Sequence, residues 1–126
     1  MSGSNPISKR ADGDIVPTSW GELNWKIAGE NFPGSEMTFG TCLINPGERN
    51  QLHSHPDCEE ILYVVSGRCE HKLGDEIHRM ESGDAIRIPR NVRHWARSLG
   101  PEPLFALIVF SSGTRTAVSH EDDGVA

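Results

Sequence analysis

From residue 20 to residue 112 the apolar positions come in short bursts, each closed by glycine, proline or a turn-forming asparagine. None of these windows is long enough for a comfortable amphipathic helix, and several are dense in Ile, Val, Leu and aromatics. The bursts predict strands at 36–44, 51–55, 60–65, 68–73, 76–80, 85–88, 92–96 and 104–110, with a further edge strand at 20–28. Asn45-Pro46-Gly47, Pro56, Ser66-Gly67 and Pro89 supply the stops, and Gly74-Asp75 predicts a tight hairpin between 68–73 and 76–80. The run LFALIVF at 104–110 has no polar alternation and predicts a strand buried on both faces. Eight or so short strands with turns between them make this an all-β chain, a sandwich, jelly roll or small barrel.

The flanks differ. Residues 1–19 and 113–126 are rich in small, polar and turn-forming residues without a sustained period, so both are expected to be flexible arms around one domain at 20–112. The N-terminal arm leading to Trp20 and Trp25 is expected to bury its aromatics against a second copy, which predicts a homodimer.

Composition narrows the functional classes. With 12 basic and 18 acidic residues the net charge is −6, which argues against a nucleic-acid partner. The longest apolar run is too short to cross a bilayer, and the start, MSGSNPISKR, has no apolar signal core. Cys42, Cys58 and Cys69 are an odd set without CxxC spacing, which reads as unpaired thiols in a reducing compartment. The expectation is a cytoplasmic protein without a membrane or nucleic-acid partner.

The chemistry gathers in four residues. His53 and His55 are one residue apart, so on a strand both imidazoles project from the same face. Glu60 follows after a turn at His-Pro-Asp-Cys, and His94 opens a later strand. Three neutral imidazoles and one carboxylate make a mixed nitrogen and oxygen site for a divalent metal, with positions left open for a ligand. His71, His78 and His120 have no companion set in the sequence and are read as ordinary surface or hydrogen-bonded residues.

The spacing as a whole resembles a family. Gly47-x5-His53-x-His55-x4-Glu60-x6-Gly67 matches the first motif of the cupins at every defined position. Gly83-x5-Pro89-x-Asn91-x2-His94-x3-Ser98 is similar to the second, with Asn91 where glycine is usual and Ser98 where asparagine is usual. Asparagine tolerates a left-handed turn, and neither departure falls on a ligand position. The resemblance implies a single jelly-roll β-barrel holding one divalent transition metal per chain (iron, manganese, nickel or zinc) through His53, His55, Glu60 and His94. It also implies a subunit pair.

Strand parity suggests what surrounds such a metal. Gln51 and Arg49 share the face of His53 and His55 and are candidate substrate-binding groups. Arg87, on AIRI, is a third candidate, either gripping an anion or facing water. Leu62 and Val64 share the face of Glu60, and Ala96 and Ser98 that of His94. Tyr63 and Trp95 lie on the opposite parity and are expected outside the barrel, and Cys58 in a solvated loop. Some cupin lyases carry a tyrosine where this chain has Leu62. The expected function is a metal-dependent enzyme on a small oxygenated organic molecule, of dioxygenase type. The alternatives are a lyase, isomerase or decarboxylase using the metal as Lewis acid, and a binding protein without catalysis.

Overall fold

The computed structural model describes residues 5–121. Among the described residues eleven strands make up two antiparallel sheets: β1 (Asp14–Pro17), β2 (Gly21–Ile27), β3 (Thr38–Ile44), β4 (His53–Ser54), β5 (Glu60–Ser66), β6 (Arg68–Leu73), β7 (Glu76–Glu81), β8 (Ala85–Ile88), β9 (His94–Ser98), β10 (Leu104–Phe110) and β11 (Val118–Ser119). One sheet runs β1-β2-β3-β10-β5-β8 and the other β11-β4-β9-β6-β7, a jelly-roll barrel. No described helix is long and apolar enough to cross a membrane.

The inner faces follow from period-two alternation. On β3, residues Thr38, Gly40, Cys42 and Ile44 point inward, and on β5 Glu60, Leu62 and Val64 do so. Their aliphatic members pack with Cys69, Met80, Ile88 and Ala96 into one core between the sheets. β10 buries Leu104, Ala106, Ile108 and Phe110, while Phe105, Leu107 and Val109 are half-buried on the other side. The expectation of burial on both faces is thus corrected. β10 is flanked by β3 and β5 in the sheet, and its outer side chains are only half covered among the described residues.

The 20–28 segment is also not an edge. It becomes β2, paired on one side with β3 and on the other with β1, which lay inside the expected flexible arm. The hairpin at Gly74-Asp75 forms as expected, with Leu73 opposite Glu76. Asn91 takes φ 68°, the left-handed conformation anticipated for it, and its N–H donates to the His55 carbonyl (2.9 Å). One bond therefore ties the loop before His94 to the chain that carries the H-x-H pair.

The C-terminal segment departs most from expectation. Thr38 Oγ1 donates to the Ser112 carbonyl (2.7 Å), Gly29 N to the Gly113 carbonyl (2.7 Å), and Thr116 N to Asp57 Oδ1 (3.1 Å). β11 then pairs with β4, and His120 N donates to the Leu52 carbonyl. Residues 113–121 form a strap on the barrel rather than a frayed tail. Residues 1–4 and 122–126, the outer parts of both expected arms, lie outside the described residues.

Two glycines of the motifs are held for different reasons. Gly67 has φ +80°, and a Cβ there would meet the Pro103 carbonyl oxygen at 2.4 Å. Gly83 has φ +95° with nothing within 4 Å of an added Cβ. Gly83→Ala is therefore expected to lose about 1 kcal/mol of stability, the cost of a left-handed alanine, and Gly67→Ala roughly 3 kcal/mol because backbone must also move. Urea denaturation of the two variants against wild type reads the difference; equal losses would contradict it.

Candidate metal centre

His53 opens β4 and His94 opens β9, and the two stand opposite one another in the register. His55 follows two residues on, and the turn at 56–59 returns the chain so that Glu60 enters β5 with its carboxylate inward. One ligand-type atom from each of the four lies within 4.8 Å of the other three, and His55, Glu60 and His94 are buried. The expected four are brought together.

The orientation of each ring is fixed from behind. His53 Nδ1 donates to the Gln51 carbonyl (2.6 Å), His55 Nδ1 to the Thr116 carbonyl (2.8 Å) and His94 Nδ1 to the Val92 carbonyl (2.9 Å). A carbonyl can only accept, so each Nδ1 carries the proton and each Nε2 is left with a lone pair. His55 Nε2 and His94 Nε2 then face Glu60 Oε1 at 3.2 and 3.3 Å. All three atoms are buried without a hydrogen-bond partner. Lone pairs aimed at a carboxylate oxygen across such distances repel one another unless a positive charge lies among them. Three nitrogen donors and one oxygen suit a divalent transition metal, and backbone carbonyls behind imidazoles are the usual device for orienting metal ligands.

The protonation states agree with that reading. Burial, then the neighbouring His94, pushes the His53 imidazole down to about 3. Burial alone would raise the Glu60 carboxyl; positive charge on the His55 and His94 side of it outweighs burial and holds it below the usual carboxylate range, the same demand for a cation that the facing lone pairs make. At neutral pH the cluster offers a neutral His53 and an ionised Glu60.

The cluster opens into a cavity of about 260 Å³, compact beside the ~300–1,000 Å³ of drug-sized pockets. Its walls include Trp20, Trp25, Leu62, Phe110, Gln51 and Arg115. Of the three candidate substrate residues, only Gln51 lies there. Arg49 sits over the Trp95 ring (5.0 Å) on the outside of the barrel, because the chain leaves the ladder between Arg49 and His53 and parity is not carried across. Arg87 pairs in register with the outward Ile61 and binds Glu59 at 2.7 Å on the surface. Both are corrected: neither lines the cavity.

Other expectations are also revised. Trp20 and Trp25 line the cavity instead of an exposed arm, with Trp25 edge-on to Phe110 at 5.8 Å. Trp95 does face outward but is buried beneath Arg49 and Arg97. Cys58 is fully buried, and burial together with Asp57 pushes its thiol up to about 11. His71, read as an ordinary residue, is buried against the cavity and stacks on His94 with ring planes 9° apart. Burial, then His94, pushes it down to about 4. Its inward position follows from alternation with Cys69 on β6, and that of Trp25 from alternation with Leu23 on β2. Arg115 had no such signal, since its segment has no period.

A profile of the Cupin domain matches residues 40–110, the span that carries all four residues. The chain belongs to the cupin family. Among its curated relatives, Protein SchB of Streptomyces halstedii is 39% identical over 112 residues, covering 86% of this cupin and 71% of SchB. Polyketide synthase CurC of Streptomyces cyaneus is 40% identical over 82 residues, covering 65% of this chain and 53% of CurC. Among solved structures, the oxalate decarboxylase of Lactobacillus farciminis in its formate complex aligns with a TM-score of 0.79 and 26% identity, over 85% of this cupin and 33% of that chain. The Bacillus subtilis oxalate decarboxylase, at 22% identity and a TM-score of 0.77, shares the fold and is 29% covered. This cupin thus spans about a third or less of the oxalate decarboxylase chains.

The buried imidazoles carry a pH consequence. The unfolded chain protonates histidine near 6.5, whereas folded His53 and His71 refuse the proton down to about 3 and 4. Between those limits the unfolded state binds more protons, so stability falls as pH falls, and depressed Glu60 acts in the same direction further down. Metal-stripped protein is expected to lose on the order of 3 kcal/mol between pH 7 and pH 5. His71→Phe, which keeps a flat ring beside His94, should lose less. Denaturant titrations at the two pH values check both; a flat profile would contradict the burial of neutral rings.

Proposed function

We propose that this cupin is a metal-dependent enzyme acting on a small oxygenated organic molecule, with His53, His55, Glu60 and His94 holding one divalent transition metal. The observation that carries the proposal is the convergence of buried, partnerless His55 Nε2, His94 Nε2 and Glu60 Oε1 on one cavity. When bound, such a metal supplies a Lewis-acid centre for a substrate oxygen and, if redox-active, a route to dioxygen chemistry. The chain supplies the remainder. Backbone carbonyls hold the rings, Leu62, Ile108 and Ala96 exclude water from the inner wall, and Gln51 offers an amide to a polar substituent.

The likeness to CurC, a polyketide synthase, together with the aromatic wall of Trp20, Trp25 and Phe110, supports a planar, oxygen-rich substrate of polyketide type. A dioxygenase is the leading reaction class. Among the described lining residues Glu60 is the only carboxylate, and the position of Leu62 offers no phenol for acid–base work. The likeness to oxalate decarboxylases supports decarboxylation as the second reading.

Elemental mass spectrometry on untagged protein tests the centre. Wild type is expected to carry about one metal per chain and His94→Ala a small fraction of that, because the site loses one of its donors. Wild type that stays empty after metal is offered would refute it. With metal present, the loaded protein is incubated with a panel of phenolic and β-keto acids under an oxygen electrode and a carbon dioxide sensor. Oxygen uptake supports the dioxygenase, carbon dioxide release without uptake the decarboxylase, and turnover of neither the binding protein.

A homodimer belongs to the same proposal. The tryptophans expected to make the contact are spent on the cavity, but Ile61, Tyr63 and Val65 stand in a row on the outer face of β5, 47%, 41% and 39% exposed. Sedimentation is expected to give the dimer mass at micromolar concentration, and Tyr63→Glu to shift it toward monomer. A monomer mass for wild type would refute the pairing.

A further inference from the structure

Arg115 lies on the cavity wall, on the strap between β10 and β11. Its guanidinium carbon is 3.8 Å from the centre of the Trp25 ring and 5.1 Å from that of Phe110. At the shorter distance it packs over the face of the indole, a contact that uses the charge of the guanidinium and not its N–H donors. Among the described residues none of those donors meets an acceptor, and no carboxylate lies within ion-pair distance. The guanidinium is half-buried beside the cavity, and none of its nitrogens is among the buried partnerless atoms, so its donors reach the water of the cavity and can exchange that water for a ligand.

The position is fixed by the strap's own bonds. The next residue, Thr116, donates its N–H to Asp57 and accepts from His55 Nδ1, and β11 is paired with the strand of His53. The peptide unit that carries Arg115 is therefore locked to two of the four proposed metal ligands, so guanidinium and metal cluster keep a set relation to each other.

Charge completes the argument. Of the described lining residues, Glu60 is the one carboxylate and Arg115 the one guanidinium or ammonium. A divalent metal more than neutralises Glu60, and Arg115 adds a further positive charge on the wall of the same small, largely apolar space. Such a cavity favours an anion that spans it. The flat walls of Trp20, Trp25 and Phe110 favour a planar one.

Building on the metal-centre reading, we infer that Arg115 selects the substrate: a planar, conjugated carboxylate whose carboxylate pairs with the Arg115 guanidinium while a neighbouring enol or phenol oxygen points to the His53, His55, Glu60 and His94 cluster. Arg115 is then a specificity-determining residue supplied by the strap and not by either cupin motif.

Salicylate and salicylamide, flat molecules of nearly the same shape that differ in the charge of one group, test the inference by isothermal titration. They are titrated into full-length wild type, Arg115→Met and Arg115→Lys, each loaded with zinc and each stripped with chelator, with zinc content and melting temperature recorded. Loaded wild type is expected to prefer salicylate over salicylamide at least tenfold. Arg115→Met should lose that preference by weakening salicylate alone, at unchanged zinc content, and Arg115→Lys should retain part of it. No preference in wild type, or the full preference in Arg115→Met, overturns the inference while leaving the metal reading intact. Protein that takes up no zinc yet prefers salicylate through Arg115 overturns the metal reading and upholds the anion anchor. If Arg115→Met fails to fold, Arg115→Lys decides: a preference equal to that for the amide overturns the inference, and a partial one supports it.

Discussion

Two imidazole nitrogens and a carboxylate oxygen, all acceptors, meet without a proton between them in the interior of this barrel. That confrontation is unfavourable in the bare protein, and much of the surrounding architecture is arranged so that it cannot relax. His55 and His94 would each escape it by rotating or by moving the proton to the other ring nitrogen, and each, like His53 beside them, is held by a backbone carbonyl that accepts from Nδ1–H. The three carbonyls belong to different stretches of chain, at Gln51, Val92 and Thr116. The cluster is consequently a tertiary object: no single hairpin contains both its ligands and their supports.

The barrel provides that tertiary frame by ordinary means. Alternating strands fill the space between the sheets with Ile44, Val64, Leu104 and Ile108, and the same alternation places Glu60 and His94 at strand starts, at the end of the barrel where the aliphatic core gives way to the cavity. A buried carboxylate near that core, faced by imidazole lone pairs, is tolerable when a divalent cation lies among them and relieves the repulsion. Stability and function are coupled there, since the groups that repel one another without a cation are those proposed to hold the metal.

Much of this was legible in the sequence, and the reasons differ by residue. His53 and His55 were readable because period two is the most robust feature of a strand, and Glu60 and His94 because turn signals fix where their strands begin. Arg49 and Arg87 were misplaced for separate causes. The chain between Arg49 and His53 does not stay in a ladder, so counting by twos fails across it; the face of Arg87 depends on which strand it pairs with, and only the register opposite Ile61 reveals that. Trp25 and His71 had readable alternation, yet composition drew attention to an arm in one case and to isolation in the other. The strap of Arg115 and Thr116 could not be found, because its order comes from individual hydrogen bonds to Asp57 and His55 and leaves no periodic trace.

The three thiols have a different kind of consequence. Cys42, Cys58 and Cys69 are unpaired and buried in separate parts of the barrel, on β3, in the turn between His55 and Glu60, and on β6. Burial pushes them up to about 12, 11 and 11, so at neutral pH the folded protein presents almost no thiolate to an alkylating reagent. Each becomes reactive only when its own neighbourhood opens. The chain therefore carries three built-in clocks, and the modification rate of Cys58 relative to Cys42 and Cys69 separates breathing of the ligand turn from opening of either sheet.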